Sequence, residues 1–124
     1  MAWAIITGGS AGIGLCISKE LCARGYDALL VSRNPNKLEQ ARQEICRTYP
    51  QREVRTYSLD LSQAQAPQQL YDYVMAQGLE TEVLINDAGI YYFKDVLDIP
   101  ADKIDTIVHL NGMALVHLTR LFCQ

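Results

Sequence analysis

A short apolar run, Ala2-Trp3-Ala4-Ile5-Ile6, passes directly into Thr7-Gly8-Gly9-Ser10-Ala11-Gly12-Ile13-Gly14, so four of the chain's eight glycines fall within its first 14 residues. The run reads as a buried strand. The Ile13, Ile17, Leu21 spacing behind it predicts a helix over 13–24, stopped by Gly25. Gly8 permits the tight turn, Gly12 lets a pyrophosphate approach the backbone, and Gly14 allows close packing of helix on strand. The helix N-terminus adds free N–H donors and a positive dipole end. A glycine-rich turn that binds nothing is the plainer reading, and the crowding of glycines argues against it. No Gly-Lys-Ser/Thr follows, which excludes a P-loop kinase or GTPase.

The rest of the chain alternates in the same way. Ala28-Leu29-Leu30-Val31 is a second apolar strand. Asn34 and Pro35 read as the N-cap and first residue of a helix with Leu38, Ala41, Ile45 and Tyr49 on one face, ending at Pro50. Residues 53–58 alternate Val54, Thr56 and Ser58 against Arg55 and Tyr57, the pattern of a half-exposed edge strand. Residues 67–77 carry Leu70, Tyr73 and Val74 at helical spacing before Gly78. Val83-Leu84-Ile85 is a fourth strand, and residues 101–123 form a long helix led by Pro100. The order β-α-β-α-β-α-β-α predicts an α/β fold, a doubly wound parallel sheet with right-handed crossovers and helices on both faces.

Composition bounds what such a fold does. The chain has 124 residues, 49% hydrophobic and 20% charged, which is globular and sets one domain as the ceiling. Lys and Arg number 11 against 14 Asp and Glu, so no basic excess suits a nucleic-acid partner. The N-terminus has no positive leader and no apolar run approaches ~18 residues, so neither secretion nor a membrane span is expected. Cys16, Cys22, Cys46 and Cys123 show no C-x-x-C spacing and read as free thiols in a reducing cytoplasm. His109 and His117 complete no ligand set, so no metal is expected, and Tyr91 and Tyr92 read as packed aromatics or the border of a substrate mouth.

Taken together, Thr7-Gly8-x-x-x-Gly12-Ile13-Gly14, Asp60-Leu61 after the third strand, Asn86-Asp87-Ala88-Gly89 after the fourth and Asn111 in the last helix resemble, in order, the motifs of the short-chain dehydrogenase/reductase family. The resemblance covers the whole chain and implies a Rossmann-type fold that binds a nicotinamide dinucleotide through Gly8, Ser10, Gly12, Ile13, Gly14, Arg33, Asp60, Leu61, Asn86, Ala88 and Gly89. The aspartate borders the adenine. Asp87 stands where the family has Asn, so the backbone of Ala88 and Gly89 carries more of the role there. Asn111 matches the Asn of the family's catalytic tetrad, which distorts its helix so that the backbone holds a water in a proton relay. Read on its own, Asn111 interrupts a stripe of Ile104, Ile107, Val108, Leu115, Leu118 and Phe122, and a buried amide there demands partners.

Cofactor choice turns on Val31-Ser32-Arg33-Asn34. NAD-binding sheets place an acid here to accept from the ribose 2′-OH; Ser32 takes that place and Arg33 follows it. A guanidinium pairs bidentately with a 2′-phosphate, and within the family a basic residue at this point implies NADP rather than NAD. The plainer reading is a solvated surface arginine.

The family's hydride transfer to or from a carbonyl or alcohol carbon needs a Tyr, a Lys four residues later and a Ser. None of the seven tyrosines has Lys at that spacing, so residues 1–124 resemble the cofactor-binding half of a longer domain, cut before the catalytic segment. The resemblance further implies a small-molecule substrate and a homo-oligomeric full-length protein. A naturally short, non-catalytic dinucleotide-binding module is the alternative. An S-adenosylmethionine methyltransferase is a third reading, opposed by the glycine loop and the missing acid.

Overall fold

The computed structural model describes residues 2–88 and 100–123, without the side chains of Ile104 and Ile107. The elements are β1 (Trp3–Thr7), α1 (Gly12–Ala23), β2 (Asp27–Ser32), α2 (Pro35–Thr48), β3 (Val54–Ser58), α3 (Ala66–Ala76), β4 (Thr81–Asn86), α4 (Ala101–Val108) and α5 (Ala114–Phe122). A π-helical turn, His109–Met113, joins the last two. The described residues form a parallel sheet of order β3-β2-β1-β4. The doubly wound α/β architecture read from the sequence is therefore the observed one.

Alternation along β1 divides the core. Trp3 and Ile5 face Leu70, Val74 and Leu118 on the α3–α5 side. Ala4 and Ile6 face Leu38, Ala41 and Ile45 of α2, together with Cys22, on the other. Both faces of β1 and β2 are thus covered, which is why these strands read as continuous apolar runs. Burial pushes the Cys22 thiol up to about 11, and among the described residues all four cysteines are free.

Two helices bury a different face from the one their large apolar residues suggest. In α1 the buried line is Gly14, Ser18 and Cys22, one position on from Ile13, Ile17 and Leu21, and Ile13 is 70% exposed. Small residues let α1 lie close against the sheet, and Ser18 satisfies its buried hydroxyl on the Gly14 carbonyl at 2.7 Å. The residues expected as one helix over 101–123 are broken by the π turn, where the Ala114 N–H donates five residues back to the His109 carbonyl. The wider turn shifts the phase of the buried face. Leu110, Ala114, Leu118 and Leu121 point inward; of the expected stripe Leu118 is buried and Phe122 packs on the core, whereas Val108 and Leu115 are exposed.

Helix ends follow local chemistry. Asn34 caps α2, its Oδ1 accepting from the N–H groups of Asn36 and Lys37 at 2.9 and 3.1 Å. α1 has Ala11 at its N-cap and no side-chain cap, so no side chain satisfies its first N–H groups.

Candidate functional site

The carboxyl ends of β1, β2 and β4 lie level, with Thr7 paired to Val31 on one side and to Asn86 on the other. Ligands of open parallel sheets bind beyond such ends, where the strand order reverses, and here that point lies between β1 and β4. One threonine ties it together. The Thr7 hydroxyl donates to the Ile85 carbonyl at 3.2 Å and accepts the N–H groups of Asp87 and Ala88 at 3.2 and 3.3 Å. The Gly8 N–H donates to the Val31 carbonyl at 2.8 Å, anchoring the glycine turn to β2.

The glycines of the turn differ in function. Gly8, at φ +72°, lies against the backbone of Asp87 and Ala88, which a Cβ would meet at about 2.9 Å. A Cβ on Gly14 would stand 2.1 Å from the Gly8 carbonyl oxygen and 2.9 Å from Oδ2 of Asp87. Gly14 therefore also fits the first turn of α1 under the loop. Gly12, at φ +58°, has nothing within 4 Å of such an atom. That open face, beside the uncapped N-terminus of α1, suits a pyrophosphate lying against backbone. Ile13 is exposed next to it.

Beyond β2 and β3 a cavity of about 160 Å³ is lined by Gly8, Val31, Arg33, Asp60, Leu61, Ala88 and Leu110, among others. Asp60 accepts from the Ser62 N–H at 3.0 Å and the Ser62 hydroxyl at 2.6 Å. Burial raises its carboxyl, but the hydrogen bonds from Ser62 and Gln63 and the nearby Arg33 cation together outweigh burial and hold it below the usual carboxylate range. Leu61 is buried and forms an apolar wall beside it.

Ser32 and Arg33 also line a second, shallower groove of about 580 Å³ with Ser10, Ala11, Asn34, Pro35 and Lys37. Ser10 donates to the Ser32 hydroxyl at 3.2 Å, joining the glycine turn to the end of β2. Arg33 thus stands where the two hollows meet. Asn86 donates from Nδ2 to the Thr119 hydroxyl at 3.4 Å, which holds β4 to α5. Asn111 lies half-buried within the π turn, directly after Leu110 of the cavity wall. Gly89, Tyr91 and Tyr92 lie outside the described residues. Among the described residues no group of three or more metal-ligating side chains gathers, and no helix is long and apolar enough to cross a membrane.

The fold therefore brings Gly8, Ser10, Gly12, Ile13, Gly14, Arg33, Asp60, Leu61, Asn86 and Ala88 to one end of the sheet. Sequence reasoning missed Thr7 as the brace, Leu110 as a wall and Lys37 as a second cation of the groove. A threonine closing an apolar strand just before paired glycines was the available signal for the first. An exposed lysine in a helix's first turn carries none.

A family model described as short chain dehydrogenase matches residues 2–124. The chain is 38% identical over 128 residues to a very-long-chain 3-oxoacyl-CoA reductase of Anas platyrhynchos, covering 97% of this chain and 39% of the relative. Among solved structures it is similar to a metagenomic short-chain oxidoreductase in complex with NADP, at TM-score 0.89 and 28% identity over 98% of this chain and 55% of that one. It is similar also to an alcohol dehydrogenase of the archaeon Thermococcus sibiricus complexed with 5-hydroxy-NADP, at TM-score 0.88 and 27% identity, covering 99% of this chain and 52% of that one.

Proposed function

The chain belongs to the short chain dehydrogenase family, and from that premise we propose that it is the dinucleotide-binding part of an oxidoreductase that takes NADP(H) in preference to NAD(H) and acts on a small carbonyl or alcohol substrate. The observation that carries the reading is the end of β2. Ser32 and Arg33 stand where NAD recognition needs an acid, and no carboxylate lines the groove they share with Ser10 and Lys37. A guanidinium there attracts and orients a 2′-phosphate that an acid would repel.

The nicotinamide, when bound, supplies or accepts the hydride. The chain's own residues hold and orient. The Gly8–Gly14 turn and the N-terminus of α1 receive the pyrophosphate against backbone. Asp60 and Leu61 border the adenine, and Asn86 and Ala88 border the ribose nearer β4. Asn111 is a positioning residue for a proton path, since the π turn around it loosens the backbone ladder that an α-helix would close. The relative named for a 3-oxoacyl-CoA reduces a carbonyl by its name, which supports the reaction class. Self-association of the whole protein belongs to the same reading, and the outward Val108, Leu115 and Val116 supply apolar surface for it.

Titration of each cofactor into the Arg33→Ala variant tests the assignment. One lost charged hydrogen bond is worth about 1.5–3 kcal/mol, so NADPH should bind roughly 10- to 100-fold more weakly, with NADH almost unchanged. Equal losses for both would remove Arg33 from the 2′-phosphate.

A further inference from the structure

Lys37 is a cation of the β2–α2 groove whose side chain has no partner among the described residues. Its backbone is fixed in the first turn of α2 by the Asn34 cap, and it lines the groove with Ser10, Ser32 and Arg33. Both acids of α2 are engaged elsewhere: Glu39 pairs with Arg42 and Glu44 with Lys19. Arg33 lies close enough to Asp60 to help keep that carboxylate ionised. Lys37 makes no side-chain hydrogen bond or ion pair among the described residues.

A lone exposed lysine is ordinarily a solvated helix surface. Three features separate this one. It shares a single concave groove with a second cation, no carboxylate lines that groove, and the joined hydroxyls of Ser10 and Ser32 also line it. Two cations in one groove repel each other unless an anion comes between them, and a phosphate monoester brings about −1.5 to −2 charges at pH 7 with oxygens for both.

We infer that Lys37 is the second cation of the 2′-phosphate site, setting the preference for a 2′-phosphorylated adenosine together with Arg33. The inference rests on the cofactor reading above and deepens it. An ammonium on a flexible stem reaches the phosphate as a point charge, while the Arg33 guanidinium supplies the directed pair of donors.

The experiment is calorimetric titration of adenosine 2′,5′-bisphosphate and adenosine 5′-monophosphate into the wild-type chain and the Lys37→Gln, Lys37→Arg and Arg33→Ala variants, each first shown by melting to be folded. Lys37→Gln should weaken the bisphosphate about 10-fold, leave the monophosphate unchanged, and lose much of its difference from wild type in ~1 M salt. Lys37→Arg should restore most of the affinity. If Lys37→Gln binds the bisphosphate as wild type does while Arg33→Ala does not, Lys37 is a solvated helix lysine, the inference is overturned and the cofactor reading stands. If wild type binds both nucleotides equally, the cofactor reading falls and the inference with it.

Discussion

The carbonyl oxygen of Gly8 occupies the space where a side chain on Gly14 would begin, 2.1 Å from the position of its Cβ. The two glycines are six residues apart, one in the loop and one in the first turn of α1, and their contact folds the loop back over the helix. Gly12, between them, meets nothing. The same short motif thus holds a packing glycine and a ligand-facing glycine.

Substitution by alanine should separate the two. Gly14→Ala forces a Cβ against backbone, and overpacking of this kind costs about 1–3 kcal/mol, so its melting temperature should fall by about 5 °C or more. Gly12→Ala incurs left-handed strain of about 1–2 kcal/mol with no clash, and puts a methyl where a pyrophosphate would lie. It should melt closer to wild type yet bind dinucleotide more than ~10-fold more weakly. Scanning calorimetry with ligand titration reads both, and equal melting losses would contradict the division.

Asp60 gives a pH dependence with a defined sign. Its carboxyl is held below the usual range, so it is ionised in the fold at pH values where the same group in the unfolded chain, with a pKa of ~3.9, has begun to take up a proton. Its stabilisation is complete above the unfolded value and lost as pH falls through the lower folded one. Asp60→Asn should therefore cost about 1 kcal/mol at pH 7 and converge on wild type in strong acid. Denaturant melts across pH check this, and a gap that widens toward acid would show the sign to be wrong.

The turn of the last helix is tested by two leucines. Leu118 is 1% exposed and packs in the same core as Trp3 and Ile5, whereas Leu115 is 42% exposed. Leu118→Ala should cost about 2–5 kcal/mol and Leu115→Ala less than about 1 kcal/mol, compared by urea melts. A straight α-helix carrying the stripe Val108, Leu115, Leu118 and Phe122 inward would make Leu115→Ala about as costly as Leu118→Ala.

Where local chemistry sufficed, the sequence was legible. The Asn34 cap and the positive-φ glycines that close α1 and α3, Gly25 and Gly78, are each decided within a few residues of chain. The edge position of β3 follows from its polar alternation, and the buried β1 and β2 from their unbroken apolar runs. The buried face of α1 does not follow its largest apolar residues, because closeness to the sheet selects Gly14, Ser18 and Cys22 over larger neighbours, a tertiary demand that hydrophobicity does not record. The π turn falls around Asn111, where the resemblance implies a distorted helix, but the shift it gives the buried face is again not recorded in hydrophobicity. At the site, motif residues were legible because backbone geometry requires glycine and a strand end requires a small donor. Thr7 and Lys37 were not, since a hydroxyl bridging β1 to the residues after β4 and an ammonium above a groove are made by elements distant in sequence.

The most direct test is the wild-type affinity for NADPH against NADH, measured by fluorescence titration at about 0.15 M salt. A guanidinium and no carboxylate at the end of β2 predict NADPH binding at least ~10-fold tighter than NADH, with the difference shrinking as salt rises. Equal affinities, or tighter NADH, would contradict the assignment of this sheet end to a 2′-phosphorylated dinucleotide.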